Sequence, residues 1–156
     1  MIQRVQSVYL LLITILMSIF VFAPYAQIVA DGSQTIEFYS FAVRKTFDTG
    51  STEIIIRTLP LILLIIIAGA TAFLDIFLFR KRIFQIRICI LISILLIAQL
   101  ILIYIHYTHI RHEFSSVGSM LKLPVIFPVI SIILVFMAYR GIKHDEIIVN
   151  SYNRIR

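Results

Sequence analysis

The sequence predicts an all-α membrane fold, a four-transmembrane-helix bundle with a small extracytoplasmic β-hairpin cap and an amphipathic cytoplasmic C-terminal helix. Three observations lead there. Four long apolar segments alternate with short polar breaks. Mean hydropathy is +1.01, with 60% hydrophobic and 14% charged residues, a composition whose solvent is mostly lipid. Each segment is close to the ~20 residues that cross a ~30 Å hydrocarbon core, where no water satisfies backbone groups and helix is the expected conformation. At 156 residues, four spans leave room for a single domain, 1–156.

The first span covers about 7–29, with Met1, Gln3 and Arg4 ahead of it. It is longer than a secretory h-region, and Ala23 is followed by Pro24, a poor residue after a cleavage point, so it reads as a retained helix. The second span covers 58–79, the third 85–107 and the fourth 123–139. Ala68, Gly69 and Ala72 let another backbone approach helix two closely. Pro60, Pro124 and Pro128 mark helix starts or kinks.

Basic residues set the orientation. With both termini cytoplasmic, Arg4, Arg80, Lys81, Arg82, Arg87, Arg140, Lys143, Arg154 and Arg156 lie inside. Outside, Arg44, Lys45, Arg57, Arg111 and Lys122 are balanced by Asp31, Glu37, Asp48, Glu53 and Glu113. The Arg80-Lys81-Arg82 turn is the strongest indicator. The net charge of +6 then concentrates on the cytoplasmic side, where it suits anionic lipid headgroups and requires no nucleic acid.

The outer loop, 30–57, is the only sizeable polar connection. Asp31-Gly32-Ser33 and Asp48-Thr49-Gly50-Ser51 are turn signals, and 35–47 between them is rich in β-branched and aromatic residues. A hairpin resting on the helix ends is expected. Phe38, Tyr39, Phe41 and Phe47 suit a belt at the headgroups.

The sequence blocks Met1-Ile2-Gln3-Arg4-Val5-Gln6, Arg80-Lys81-Arg82-Ile83-Phe84-Gln85-Ile86-Arg87 and Lys143-His144-Asp145-Glu146 through Arg156 together resemble one family over the whole chain. It is the uncharacterised four-transmembrane-helix inner-membrane family of Bacteroidota, domain of unknown function 4293. The chain departs from the pattern at Tyr152-Asn153, where an Ala-Asp pair is expected. The resemblance implies four helices in a bacterial cytoplasmic (inner) membrane and implies no reaction.

The tail, 140–156, exceeds the needs of an anchor. Ile142, Ile148, Tyr152 and Ile155 can share one helical side while Lys143, Asp145, Glu146 and Arg154 supply polar contacts. Such a helix lies on headgroups or docks another integral-membrane protein through these same residues.

Asp75 sits about a turn inside the cytoplasmic end of helix two, within expected reach of Arg87 and Arg140, and reads as a structural intramembrane ion pair; proton relay or ion coupling is the alternative. His106, His109 and Glu113 follow a helical stripe, with Gln99 on the same line, a pattern open to metal binding or pH response. Without an HExxH pattern or a second histidine cluster, no metal site is assigned. Cys89 is the only cysteine, so no disulfide or CxxC chemistry is expected. No Gly-rich phosphate loop, GxSxG elbow or paired catalytic carboxylates occur, and no catalytic residue or cofactor is assigned.

The function expected is that of a non-catalytic accessory or scaffold subunit of a larger inner-membrane complex, in protein translocation or insertion, secretion or envelope biogenesis. Alternatives are a small transporter or ion-coupled protein, an outer-face metal or pH sensor, and a membrane enzyme acting on lipid.

Overall fold

A computed structural model describes residues 3–30, 34–46, 52–78, 81–113 and 116–154. Four helices form the bundle: α1 (Gln3–Phe22), α2 (Leu59–Phe77), α3 (Arg82–Glu113) and α4 (Ile126–Arg154), the last entered through a 3₁₀ turn at Leu123–Val125. Each contains a stretch long and apolar enough to span a membrane. Contacts run α1 to α2, α2 to α3, α3 to α4 and α4 back to α1, so the helices form a ring in chain order.

The buried side chains explain how the helices pack. On α1 they are Gln6, Leu10, Ile13, Met17 and Phe20; on α2 Leu61, Ile65, Ala68, Ala72 and Asp75; on α3 Gln85, Cys89, Ile92, Leu96, Gln99 and Ile103; on α4 Ser131, Val135, Ala138 and Ile142. Within each helix the spacing alternates between three and four residues. That is the heptad spacing by which antiparallel helices pack at shallow angles. Outside this buried seam, Leu63, Ile66, Ile94, Ile133 and Phe136 are exposed, as lipid-facing residues must be. Small residues bring α2 against α1: a Cβ on Gly69 would meet the Met17 Cβ at 3.5 Å.

The expected spans shift at their ends. Helix α1 stops at Phe22 rather than reaching 29, because Pro24 biases Ala23 away from helix and offers no N–H. From Ala26 the chain runs as strand instead. Helix α3 is 32 residues long, about 48 Å at 1.5 Å per residue, so it overshoots a ~30 Å core. The fourth helix does not end at 139 but continues without a break to Arg154. Pro128 sits in the first turn of α4, where no amide donor is needed.

The expected hairpin proves to be a five-stranded antiparallel sheet. Strands β1 (Ala26–Ala30), β2 (Gln34–Phe38), β3 (Ala42–Thr46) and β4 (Thr52–Arg57) come from the first connection, and β5 (Ser116–Leu121) from the α3–α4 connection. Their order is β4-β3-β2-β1-β5. The turn signals at 31–33 and 48–51, and Phe47 of the expected belt, lie outside the described residues. Both edge strands are bulged: Arg44 pairs with Ile54 while Val43 pairs with Ile56, leaving Ile55 extra. On β5, Val29 pairs with Gly118 and Ala30 with Ser116, leaving Val117 extra.

Period-two alternation places Ala26, Ile28, Ile36, Phe38 and Val43 on the face against the bundle, all buried, with Ile28 opposite Ile36 and Phe38 opposite Val43. Phe38 therefore leaves the expected headgroup belt: its ring lies 5.9 Å from Tyr25 and 6.2 Å from Tyr107 of the α3 overshoot. The junction is also hydrogen-bonded. The buried Ser40 hydroxyl donates to the Phe20 carbonyl at 2.8 Å, the Thr58 hydroxyl to the Ser40 carbonyl at 2.9 Å, and the Lys122 amide to the Tyr25 carbonyl at 3.0 Å. The first of these satisfies a carbonyl that the end of α1 leaves without a helical partner.

Glu37 organises the outward face. Its Oε1 accepts from Lys122 Nζ at 2.7 Å and its Oε2 from the Tyr39 hydroxyl at 2.9 Å, while the Arg44 guanidinium stacks 5.0 Å from the Tyr39 ring and 4.9 Å from that of Phe41. The Lys122 hydrogen bond is the main cause holding the Glu37 carboxyl below its ordinary range, against partial burial. A carboxylate whose folded pKa is depressed adds stability above the unfolded value of about 4.3, lost as pH falls through the lower folded value. Thermal unfolding in detergent should therefore show a small midpoint loss on acidification from pH 5 toward about 3 that Lys122→Met abolishes, within the ~1 kcal/mol of exposed pairs. An equal acid loss in the variant would remove Glu37 as its source.

Candidate functional site

At the end of the bundle opposite the sheet, polar side chains occupy positions that the heptad seam reserves for the core. Asp75 is fully buried on α2. The Cys89 thiol donates to its Oδ2 at 3.4 Å, and the Gln85 amide donates to its backbone carbonyl at 3.2 Å. Asp75 Oδ1 has no partner among the described residues.

A second set of contacts closes the same end. Gln6 Nε2 of α1 donates to Asp145 Oδ2 of α4 at 2.9 Å, and Arg82 Nη1 of α3 donates to the Asp145 carbonyl at 3.0 Å. Gly141 makes room for this: a Cβ there would meet Gln6 at 3.2 Å.

The ion pair expected of Asp75 with Arg87 and Arg140 is not formed. The reason is rotational phase. Asp75 lies on the seam, whereas Arg87 falls between Gln85 and Cys89 and Arg140 between Ala138 and Ile142, and both arginines lie off it. Asp145, expected on a docking surface, is instead turned into the bundle. Lys143 is exposed, with its ammonium 5.9 Å from the Tyr139 ring, and Glu146 is half-buried. The backbone of α4 carries Ile148, Tyr152 and Arg154 in helix, but the side chains of all three, and Ile155 altogether, lie outside the described residues.

A further polar group lies toward the sheet. Gln99 and Ser131 are fully buried; both amide atoms of Gln99, the Ser131 hydroxyl, His106 Nε2 and the Tyr25 hydroxyl lack partners among the described residues. Burial raises the Tyr25 phenol well above its ordinary range. The ten residues from Cys89 to Gln99 span about 15 Å, and the layers between them hold Leu10, Ile13, Ala68, Ala72, Ile92, Leu96, Val135 and Ala138. Polar chemistry at the two ends is thus separated by an apolar plug.

His106 is half-buried. The Glu113 side chain lies outside the described residues, and among those described no three His, Cys, Asp or Glu converge on a metal position. Gln6 and Ser131 were not singled out from sequence. The available signal was the three-four spacing, which places each on a seam of otherwise apolar residues.

A family model described as Domain of unknown function (DUF4293) matches residues 2–155. The chain belongs to this family. Curated proteins offer no match. DUF4293 covers the bundle, the sheet and the α4 extension together, so the polar end cluster and the cap fall within one family unit.

Proposed function

We propose that the protein is a non-catalytic accessory or scaffold subunit of a larger complex in a bacterial inner membrane, with both termini cytoplasmic. The observation that carries this is α4. Gln6 and Arg82 grip it at Asp145, and the nine residues Glu146 to Arg154 continue the same helix, an arm of about 13 Å. An arm fixed at its root presents a partner with a surface whose orientation is already set, so less ordering is lost on docking. Protein translocation or insertion, secretion and envelope biogenesis are candidate hosts. Lys81, Arg87, Arg140 and Lys143 at the arm's end of the bundle support its cytoplasmic placement.

The test is co-purification in mild detergent of full-length protein and of a chain ending at Glu146. The expected result is a stoichiometric integral-membrane partner with the full chain, lost on truncation while the bundle stays folded. A monodisperse homo-oligomer in both cases would sink the scaffold reading. Ile148, Tyr152 and Ile155, replaced together by alanine, should reproduce the loss.

Asp75 favours a second reading, an ion-coupled membrane protein, because a buried carboxylate with one oxygen unpartnered is what a proton carrier needs. The apolar plug weighs against a path through one monomer. Proton flux in proteoliposomes carrying a pH-sensitive dye should vanish in Asp75→Asn under this reading; unaltered flux would reject Asp75 as the coupler.

A further inference from the structure

Where α2 turns into α3, Phe77, Leu78, Lys81 and Phe84 are the described residues that line an open pocket of about 260 Å³. Its walls divide by chemistry. Phe77 and Phe84 are 62% and 54% exposed, and Phe73 extends the apolar wall along α2, edge-on to Phe77 at 5.2 Å. Lys81 is exposed at the turn, and its ammonium has no partner among the described residues. Neighbouring Arg82 is engaged elsewhere, donating to the Asp145 carbonyl. The first turn of α3 contains no acid of its own, so the positive end of its helix dipole adds to Lys81.

The turn joins the ends of two spanning segments, Leu59–Phe77 and Arg82–His109, which places the cavity at headgroup depth. Its size also limits the occupant. At about 260 Å³ it is smaller than the ~300 Å³ at which drug-sized sites start, so it suits a headgroup better than a bulky ligand. A phosphate, its glycerol and a few methylenes fit.

We propose that this cavity is a binding site for one anionic phospholipid, with the phosphate at Lys81 and the upper acyl chain against Phe77 and Phe84. The aromatic walls distinguish this ligand from a free anion, which would gain nothing from them. The site goes beyond the scaffold function and does not depend on it, since it needs only the isolated chain.

The experiment is native mass spectrometry of the purified full-length protein in neutral detergent, titrated with phosphatidylglycerol or phosphatidylcholine. One phosphatidylglycerol should be retained in preference to phosphatidylcholine. Lys81→Gln should lower its occupancy at least about fivefold, the effect of one lysine near an anionic surface. Phe84→Ala should also lower it, and Lys81→Arg should restore it. Arg140→Gln, basic but outside the cavity, should leave retention unchanged. Equal losses in Lys81→Gln and Arg140→Gln would overturn the site in favour of diffuse charge. Equal retention of both lipids, or undiminished phosphatidylglycerol in Lys81→Gln, would overturn it as well. Displacement by inorganic phosphate with no effect of Phe84→Ala would assign the cavity to a soluble anion instead. Should Lys81→Gln not fold, the Phe84→Ala and Arg140→Gln arms still decide.

Discussion

Replacing Phe38 by alanine should cost about 3–5 kcal/mol, the usual range for truncating a buried phenylalanine, and should loosen the sheet before the helices. Phe38 is fully buried and bridges Tyr25, at the exit of α1, to Tyr107, on the overshoot of α3. Its loss leaves a void where sheet and bundle meet, while the layers below keep their packing. Two measurements check this. Unfolding in detergent, followed through tyrosine because the chain lacks tryptophan, should shift to lower denaturant. Limited trypsin cleavage should open at Arg44, Lys45 and Arg57 of the sheet ahead of sites in α3 and α4. Phe41→Ala, half-buried beneath Arg44, should cost only about 1 kcal/mol, the range of an exposed cation–π contact. Equal costs at the two positions would refute the bridging role of Phe38.

Asp75→Val should act in the opposite direction and stabilise the protein by about 1–3 kcal/mol. A buried acceptor without a partner costs roughly that much, and apolar volume in its place removes the cost of burying a polar group. The accompanying double-mutant cycle uses Cys89→Ala, which removes the only side-chain donor to the Asp75 carboxylate among the described residues. It should destabilise in the native background, and the cost should shrink once Asp75 is valine, by a coupling of about 0.5 kcal/mol or more. If Asp75→Val lowers stability instead, the carboxylate must have a compensating interaction. A gain in stability with loss of cellular function would mark Asp75 as retained for work, not for folding.

Four helices were legible in the sequence because lipid imposes a length and a composition on each span that nothing else in a chain of 156 residues imitates. Their ends were less legible. Apolar runs look alike whether they continue as helix or switch to strand, and Ala26 to Val29 read as the end of a helix although Pro24 had already broken it. The fifth strand was missed because 116–121 carries weak alternation by itself; it becomes a strand by pairing with β1. The site was legible in its residue types and not in its partners. Asp75 was singled out for its cost in a membrane, but hydropathy carries no rotational phase, so the arginines at similar depth looked nearer than Cys89. The spacing of three and four that puts Asp75 and Cys89 on facing seams is present in the letters. It becomes readable only when polar residues such as Gln6, Gln99 and Ser131 are allowed to count as core.

The bulges on β4 and β5 matter most when the membrane is crowded. Copies inserted with the same orientation hold their sheets at one height, confined to a plane, so their open strand edges collide edge-on far more often than those of molecules tumbling in solution. Two flat edges meeting this way would zip into a ribbon running from molecule to molecule. Ile55 and Val117 each push one residue out of register at the edge that would have to join, and a strand with an odd residue cannot template a straight neighbour. The bulges therefore work against edge-to-edge polymerisation of the cap at high surface density, leaving side chains such as Arg44 and Tyr39 as the contact chemistry of its outer face.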